Sequence, residues 1–243
     1  MSCVGTEFEL RIFQKGFNFS QDGPGNRLVY HLQGCNFSCP WCSNPEGMSR
    51  SCASTKVVTV QELVDEALRC RPMFFSSGGV TFTGGECTLQ FAALLEALRR
   101  LKEAGIHTCI ETNASHKSFG ELLPFVDFLI ADLKHTDCDL HTRFTGVSNS
   151  TVLSNLADVL DSGRQVLIRI PLINGVNTDP EGFVEFFKAH PSENARVELL
   201  SYHEFGKDKW TTPYTVTNGF VSEETLARFE NELNKNSIKT VRT

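Results

Sequence analysis

The sequence has no long run of basic residues. Its 23 Lys and Arg are outnumbered by 29 Asp and Glu, giving a net charge of −6. Phosphate backbones need a concentrated cationic face, so nucleic acid is not expected as a partner. No stretch approaches the roughly 18 uninterrupted apolar residues of a membrane span, so no membrane association is expected. The first ten residues carry Glu7 and Glu9 and lack the apolar segment of a signal peptide, which predicts a cytoplasmic protein. Internal repeats, low-complexity tracts and linkers are missing too. One domain over 1–243 is therefore predicted, with its core at about 21–209 and a C-terminal helix at 222–236.

What is present suits a large α/β domain: 243 residues, 40% of them hydrophobic. Strands are predicted at 27–33, 80–83, 106–111, 128–132, 165–170 and 195–201. Helices are predicted at 60–69, 89–104, 119–123, 151–161, 180–189 and 222–236. Thr59 and Glu62 form a capping-box pattern at the first helix. Leu94, Leu98 and Leu101 repeat at helical spacing, with Phe91 and Leu95 widening the face, and Gly105 ends that helix. Pro180 opens the helix that carries Phe183, Phe186 and Phe187 on one face, and Ser222 caps the last.

Six strands alternating with helices predict a parallel sheet with outer helices, as a partial (βα)6 barrel or a doubly wound sheet. In such folds ligands bind at the carboxyl ends of the strands. Chemically able residues collect at or just after the end of every predicted strand: Gly34 and Cys35, Gly84-Gly85-Glu86, Glu111-Thr112-Asn113, Asp132-Leu133-Lys134, Arg169 near the end of the fifth, and Tyr202-His203-Glu204.

Nine cysteines stand at 3, 35, 39, 42, 52, 70, 87, 109 and 138. An odd count without a secretion signal argues against a disulfide framework. The six outside 35–42 are expected to be buried free thiols. Cys35-x3-Cys39-x2-Cys42 gathers three soft ligands, which favour iron–sulfur, zinc or Cu(I). Structural zinc takes four ligands in paired units, and no second pair exists; His31 and Cys52 could only improvise one. An electron-transfer ferredoxin wants four cysteines, so three argue for an open iron that binds a substrate or cofactor.

Cys35-x3-Cys39-x-Trp41-Cys42 resembles the signature of the radical S-adenosylmethionine (radical SAM) superfamily, placed in the loop after the first barrel strand. Asp22-Gly23-Pro24-Gly25, Cys42-Ser43-Asn44-Pro45-Glu46, Gly84-Gly85-Glu86, Asp132-Leu133-Lys134 and Tyr202-His203-Glu204-Phe205-Gly206-Lys207 narrow the resemblance to the glycyl-radical enzyme activating enzymes. The agreement runs in order from about 21 to 209.

The resemblance implies a partial (βα)6 radical-SAM barrel and a [4Fe–4S] cluster on Cys35, Cys39 and Cys42. S-adenosylmethionine would chelate the open iron. One electron would then break a carbon–sulfur bond, and the 5′-deoxyadenosyl radical would take hydrogen from a backbone glycine of a partner enzyme. Trp41, Cys42, Ser43 and Asn44 would flank the cofactor, with Gly84 and Gly85 allowing close backbone approach and Glu86 accepting from its ammonium. Asp132, Leu133 and Lys134 would contact it, Lys134 through its carboxylate. His203 would contact the adenosine.

Arg169 sits in an apolar strand and needs a partner, either the cofactor carboxylate or a structural carboxylate. Asp22, Gly23, Pro24 and Gly25 read alone as a turn; the resemblance makes them the partner-loop contact. It also implies a monovalent cation near Glu111 and Asp132, although a member of the family it resembles has Asp at the Glu111 position. A flavodoxin or ferredoxin reductant and a monomer complete the expectation. Many activating enzymes carry a cysteine-rich insert after the triad. Here only Cys52 occurs between Cys42 and Val57, which implies a partner of the pyruvate formate-lyase type. The segment 41–46 resembles activating enzymes of other glycyl-radical enzymes. A radical SAM enzyme for a small molecule or peptide, and a zinc-binding interaction module, are the alternatives.

Overall fold

The protein is described by a computed structural model covering residues 7–19 and 21–242. Cys3 and the rest of residues 1–6 therefore lie outside the described residues. The chain divides into two compact units. The first comprises Met1–Cys35, Glu46–Thr112 and Ser118–Phe128; the second comprises Asn36–Pro45, Asn113–Lys117 and Leu129–Thr243.

The first unit holds β1 (Glu9–Phe19), β2 (Asn26–Leu32), β3 (Lys56–Thr59), β4 (Gly79–Gly84) and β5 (Thr108–Thr112) in the order β3-β1-β2-β4-β5. β1 runs antiparallel to β2 and β3, whereas β2, β4 and β5 are parallel. Parallel neighbours need crossovers, and α1 (Val60–Cys70) and α2 (Phe91–Glu103) stand between them in sequence. Leu28, Val29 and Tyr30 are all buried, the continuous apolar run of a strand covered on both faces. The capping box forms at α1: Thr59 accepts from the Glu62 amide, and the Glu62 carboxylate accepts from the Thr59 amide. The face of α2 is completed by Ala93 and Ala97 rather than by Phe91 and Leu95, which are half-buried. Gly105 follows at φ 68°, as a left-handed residue after a helix should.

The second unit holds β6 (Phe128–Asp132), of which Phe128 belongs to the first, with β7 (Val166–Leu172), β8 (Ala195–Ser201) and β9 (Thr240–Val241), in the order β6-β7-β8-β9. All are parallel. Its helices are α3 (Cys138–Thr145), α4 (Ser150–Asp161), α5 (Glu181–Ala189) and α6 (Glu223–Lys235). Phe183 of α5 packs on Phe229 of α6 with ring centroids 5.4 Å apart. Ser222 caps α6 by accepting from the Thr225 amide.

All six predicted strands form, within one or two residues of their predicted ends. The sequence reading missed β1, β3, β9 and α3. The second half of β1 is largely exposed, so it shows no clean alternation. α3 spans eight residues with only His141 and Thr145 buried, too little for a periodic signal. The helix predicted at 119–123 is two 3-10 turns, Phe119–Glu121 and Leu123–Phe125, because Pro124 cannot donate to a longer ladder. Among the described residues no helix is long and apolar enough to cross a membrane.

Candidate active site

In the first unit, the ends of β2 and β4 interlock through backbone. The Gly85 amide donates to the Leu32 carbonyl at 2.9 Å, and the Glu86 amide to the Gly34 carbonyl at 2.7 Å. The Cys35 amide donates to Met48 at 3.1 Å. Gly84 has φ 116°, and a Cβ there would fall 2.4 Å from the Leu32 nitrogen. A Cβ on Gly85 would fall 2.2 Å from the Gly34 oxygen. Neighbouring backbone therefore demands both glycines, a reason for them separate from any cofactor. Glu86 is buried. Its Oε1 accepts from the Thr88 amide (3.0 Å), the Thr88 hydroxyl (2.6 Å) and the Thr112 hydroxyl (2.6 Å). Glu111 accepts from the Thr83 hydroxyl at 3.1 Å; it lies in the first unit and Asp132 in the second.

In the second unit, the cysteine loop is gripped from several sides. The Ser38 amide donates to the Thr145 carbonyl at 2.8 Å, and Phe37 meets His141 edge-on at 5.3 Å, so α3 supports the loop's first half. Asn36 donates to Ser115 and accepts from Asn113, which ties the loop to the segment after β5. Trp41 packs against Phe144 with centroids 6.1 Å apart. The Cys42 amide donates to the Cys39 carbonyl at 3.2 Å, and the Asn44 amide to the Cys42 sulfur at 3.4 Å. Lys209 and Trp210 reach the same loop from far along the chain, contacts that no sequence pattern announced.

Asp132 and Lys134 form an ion pair, with the Lys134 ammonium 2.8 Å from Asp132 Oδ2. Burial opposes the Lys134 charge, but Asp132 and the neighbouring Cys39 outweigh it and hold its pKa above the ordinary lysine range. Asn177, also missed in the sequence, donates to the Lys134 carbonyl at 2.8 Å and to the Pro171 carbonyl at 2.7 Å, so it fixes the chain after β6. Leu133 is buried and donates its amide to Arg169 at 2.9 Å. Asp132, Arg169 and Glu198 are in register across β6, β7 and β8. Arg169 Nε donates to Glu198 Oε2 at 2.8 Å, and both side chains are buried. That charge thus has a carboxylate of the protein as a partner. His203 is half-buried, with its ring stacked on Phe205 at 4.3 Å, and burial lowers its pKa.

Asp22, Gly23, Pro24 and Gly25 form a turn at the start of β2, the end away from Gly34. Gly23 and Gly25 take φ 114° and 71°, and a Cβ on Gly25 would fall 2.6 Å from the Gly78 nitrogen. Asp22 accepts from Asn18 through its side chain and from the Thr81 hydroxyl (2.7 Å) through its carbonyl. Arg27, fully buried, clamps this turn. Its guanidinium donates to Thr81 (2.8 Å), the Val80 carbonyl (2.6 Å) and the Pro24 carbonyl (3.3 Å), and it meets His107 Nδ1 at 3.0 Å. The strand predicted at 27–33 thus opens on a buried charge. Burial lowers the pKa of Arg27, and neutral acceptors supply its hydrogen bonds.

Every described cysteine is a free thiol. The expectation that the scattered ones are buried holds for Cys87 and Cys109 but not for Cys52 and Cys70, which are half-buried, or for Cys138, which is exposed. Cys138 opens a mostly exposed helix, where no core reaches it. Among the described residues, no three His, Cys, Asp or Glu side chains already stand together as a site for a single metal ion. The donor chemistry of the loop suits an iron–sulfur cluster: soft sulfur ligands and a backbone N–H directed at the Cys42 sulfur, a type of bond that tunes such clusters. Burial pushes the Cys39 thiol up to about 11 against the opposing pull of Lys134, so a bound metal must displace that proton.

The Radical SAM superfamily family model matches residues 29–187. The pyruvate formate-lyase-activating enzyme of Staphylococcus epidermidis is 36% identical over 212 residues, 81% of this chain and 84% of that protein. A crystal structure of a domain of pyruvate-formate lyase-activating enzyme from Bacteroides vulgatus superposes with a TM-score of 0.55 at 32% identity, covering 68% of this chain and 98% of that one. A radical SAM methyltransferase from Sphaerobacter thermophilus shares the fold with a TM-score of 0.68 at 20% identity, covering 93% of this chain and 67% of that one. The mostly parallel α/β sheet with helices, expected from the sequence as a partial barrel, agrees with these neighbours.

Proposed function

The chain belongs to the radical SAM superfamily, and from that premise we propose that it activates a glycyl-radical enzyme of the pyruvate formate-lyase type by removing hydrogen from one backbone glycine. The likeness to an activating enzyme along 81% of the chain supports the reaction class. The observation that carries the site is the Asp132–Lys134 ion pair, 2.8 Å apart and mostly buried at the end of β6, in the same unit as Cys39 and Cys42. A thiolate ligand and a cofactor-binding ion pair belong together in such chemistry.

Cys35, Cys39 and Cys42 would hold three irons of a [4Fe–4S] cluster. Lys134 would bind the carboxylate of S-adenosylmethionine, Glu86 its ammonium, and Asn44 and the 41–43 backbone its flank; Gly84, Gly85, Leu133, Arg169 and His203 complete the proposed contacts. When bound, the two groups supply one-electron cleavage of the sulfonium and a carbon radical strong enough to take a glycine hydrogen. The protein's part is to orient and to exclude water. Burial of Leu133 and Cys39 and the backbone interlock at Gly84 and Gly85 serve those ends. A flavodoxin or ferredoxin is the proposed electron source.

The test is anaerobic incubation with a pyruvate formate-lyase, reductant and S-adenosylmethionine, read by electron paramagnetic resonance. A glycine-centred signal is expected. Cleavage of the cofactor with no such signal from any glycyl-radical enzyme would favour a small-molecule or peptide substrate instead.

Asp22 and the turn through Gly25 are proposed to contact the partner's glycine loop. Asp22→Ala is expected to lower partner activation about tenfold, the scale of one charge-assisted hydrogen bond, while cofactor cleavage without partner stays near wild type. Equal losses in both assays would remove the partner-contact role.

A further inference from the structure

Four contacts on the cysteine loop come from residues 206–210, a segment that the proposed chemistry does not use. Gly206 lies against Ser43 so tightly that a Cβ would fall 2.5 Å from the Ser43 Cα and 2.6 Å from its oxygen. The Lys209 ammonium donates to the Ser43 carbonyl and to Asn44 Oδ1, each at 3.1 Å. Trp210 Nε1 donates to the Cys42 carbonyl at 3.1 Å. Three consecutive loop residues are thus held by one short segment that includes the 3-10 turn Lys207–Lys209.

The segment is itself anchored. Trp210 meets Tyr214 edge-on at 5.6 Å, and the Tyr214 hydroxyl lies 2.8 Å from that of Tyr202. Tyr202 is buried and donates its amide to Leu172 at the end of β7, at 3.2 Å. A continuous path therefore runs from the sheet, through three aromatic side chains, to the carbonyl of Cys42.

We propose that Lys209 and Trp210 are positioning residues that clamp the cysteine loop, Trp210 fixing the backbone at Cys42 and Lys209 fixing the amide orientation of Asn44. This rests on the function proposed above. An Asn44 whose Oδ1 accepts from Lys209 has its NH2 donors, rather than that acceptor, to offer a ligand. Outer partners that orient first ligands govern affinity in metal sites generally, and here the clamp acts on a ligand-bearing backbone and on a cofactor-contact side chain at once.

The test uses Trp210→Phe, which keeps the ring and removes only the donor, and Lys209→Met, which keeps the length and removes the charge. In the protein without added iron, hydrogen exchange across 42–46 is expected to rise about fivefold in Trp210→Phe, the equivalent of one lost hydrogen bond. In the reconstituted protein, release of iron to a chelator is expected to quicken about as much. Lys209→Met is expected to raise KM for S-adenosylmethionine about five- to tenfold with kcat within about twofold, the signature of lost binding rather than lost chemistry. Wild-type exchange, iron retention and KM in both variants would overturn the clamp. A wild-type protein that takes up no four-iron cluster would defeat the proposed function alone, since the exchange measurement still reads the clamp.

Discussion

Cys39→Ala is expected to abolish cleavage of S-adenosylmethionine and, with it, the glycine-centred signal. The loss should far exceed the roughly 10–100-fold that follows removal of an outer partner of a metal ligand, because a ligand itself is gone. Cys39 is the buried member of the triad, whereas Cys35 and Cys42 are half-buried, so solvent cannot easily supply a substitute ligand at its position. Iron per chain after anaerobic reconstitution, measured beside cofactor cleavage, checks the prediction. Full turnover in this variant would refute the cluster assignment. Cys138→Ala is the matched control, since that thiol is exposed on α3 and belongs to no ligand set.

The second large effect concerns stability. Glu198→Ala is expected to cost about 3–5 kcal/mol, the range for stranding one member of a buried ion pair. Arg169, buried on a strand whose other side chains are mostly apolar, would lose the carboxylate that its Nε donates to at 2.8 Å. Replacing both by leucine is expected to restore most of that stability, because a buried pair is seldom better than packed apolar side chains of similar size. Chemical denaturation of the three proteins measures it. The double variant also decides what else Arg169 does. If its guanidinium reaches the cofactor carboxylate, KM for S-adenosylmethionine should rise about tenfold in a protein that folds normally. An unchanged KM would leave Arg169 a structural residue, and a loss below about 1 kcal/mol in Glu198→Ala would show that the buried pair is not what holds the charge.

Strand and helix positions were readable because the signals are local. Thr59 and Glu62 are three residues apart, and their capping box forms as the pattern predicts. Leu94, Leu98 and Leu101 mark a buried stripe because helical spacing turns sequence distance directly into a shared face. The motif Cys35-x3-Cys39-x2-Cys42 is likewise compact, and it carries the chemistry wherever the rest of the chain goes. Edges were harder. β1 and β3 pair antiparallel beside the parallel strands, and the exposed stretches of an edge leave no alternation to read.

By itself, then, the sequence determined the alternating strands and helices, the three soft ligands and the residue types able to meet a charged cofactor. Tertiary structure alone decided which side chains those residues answer to. Glu198 meets Arg169, 29 positions away. Lys209 and Trp210 close on Ser43 and Cys42 across 166 and 168 positions. Arg27 turns inward onto His107, 80 positions away. Periodicity reports which way a side chain faces, but partners are chosen by strand register and chain crossing, and those are settled only when the whole chain is packed.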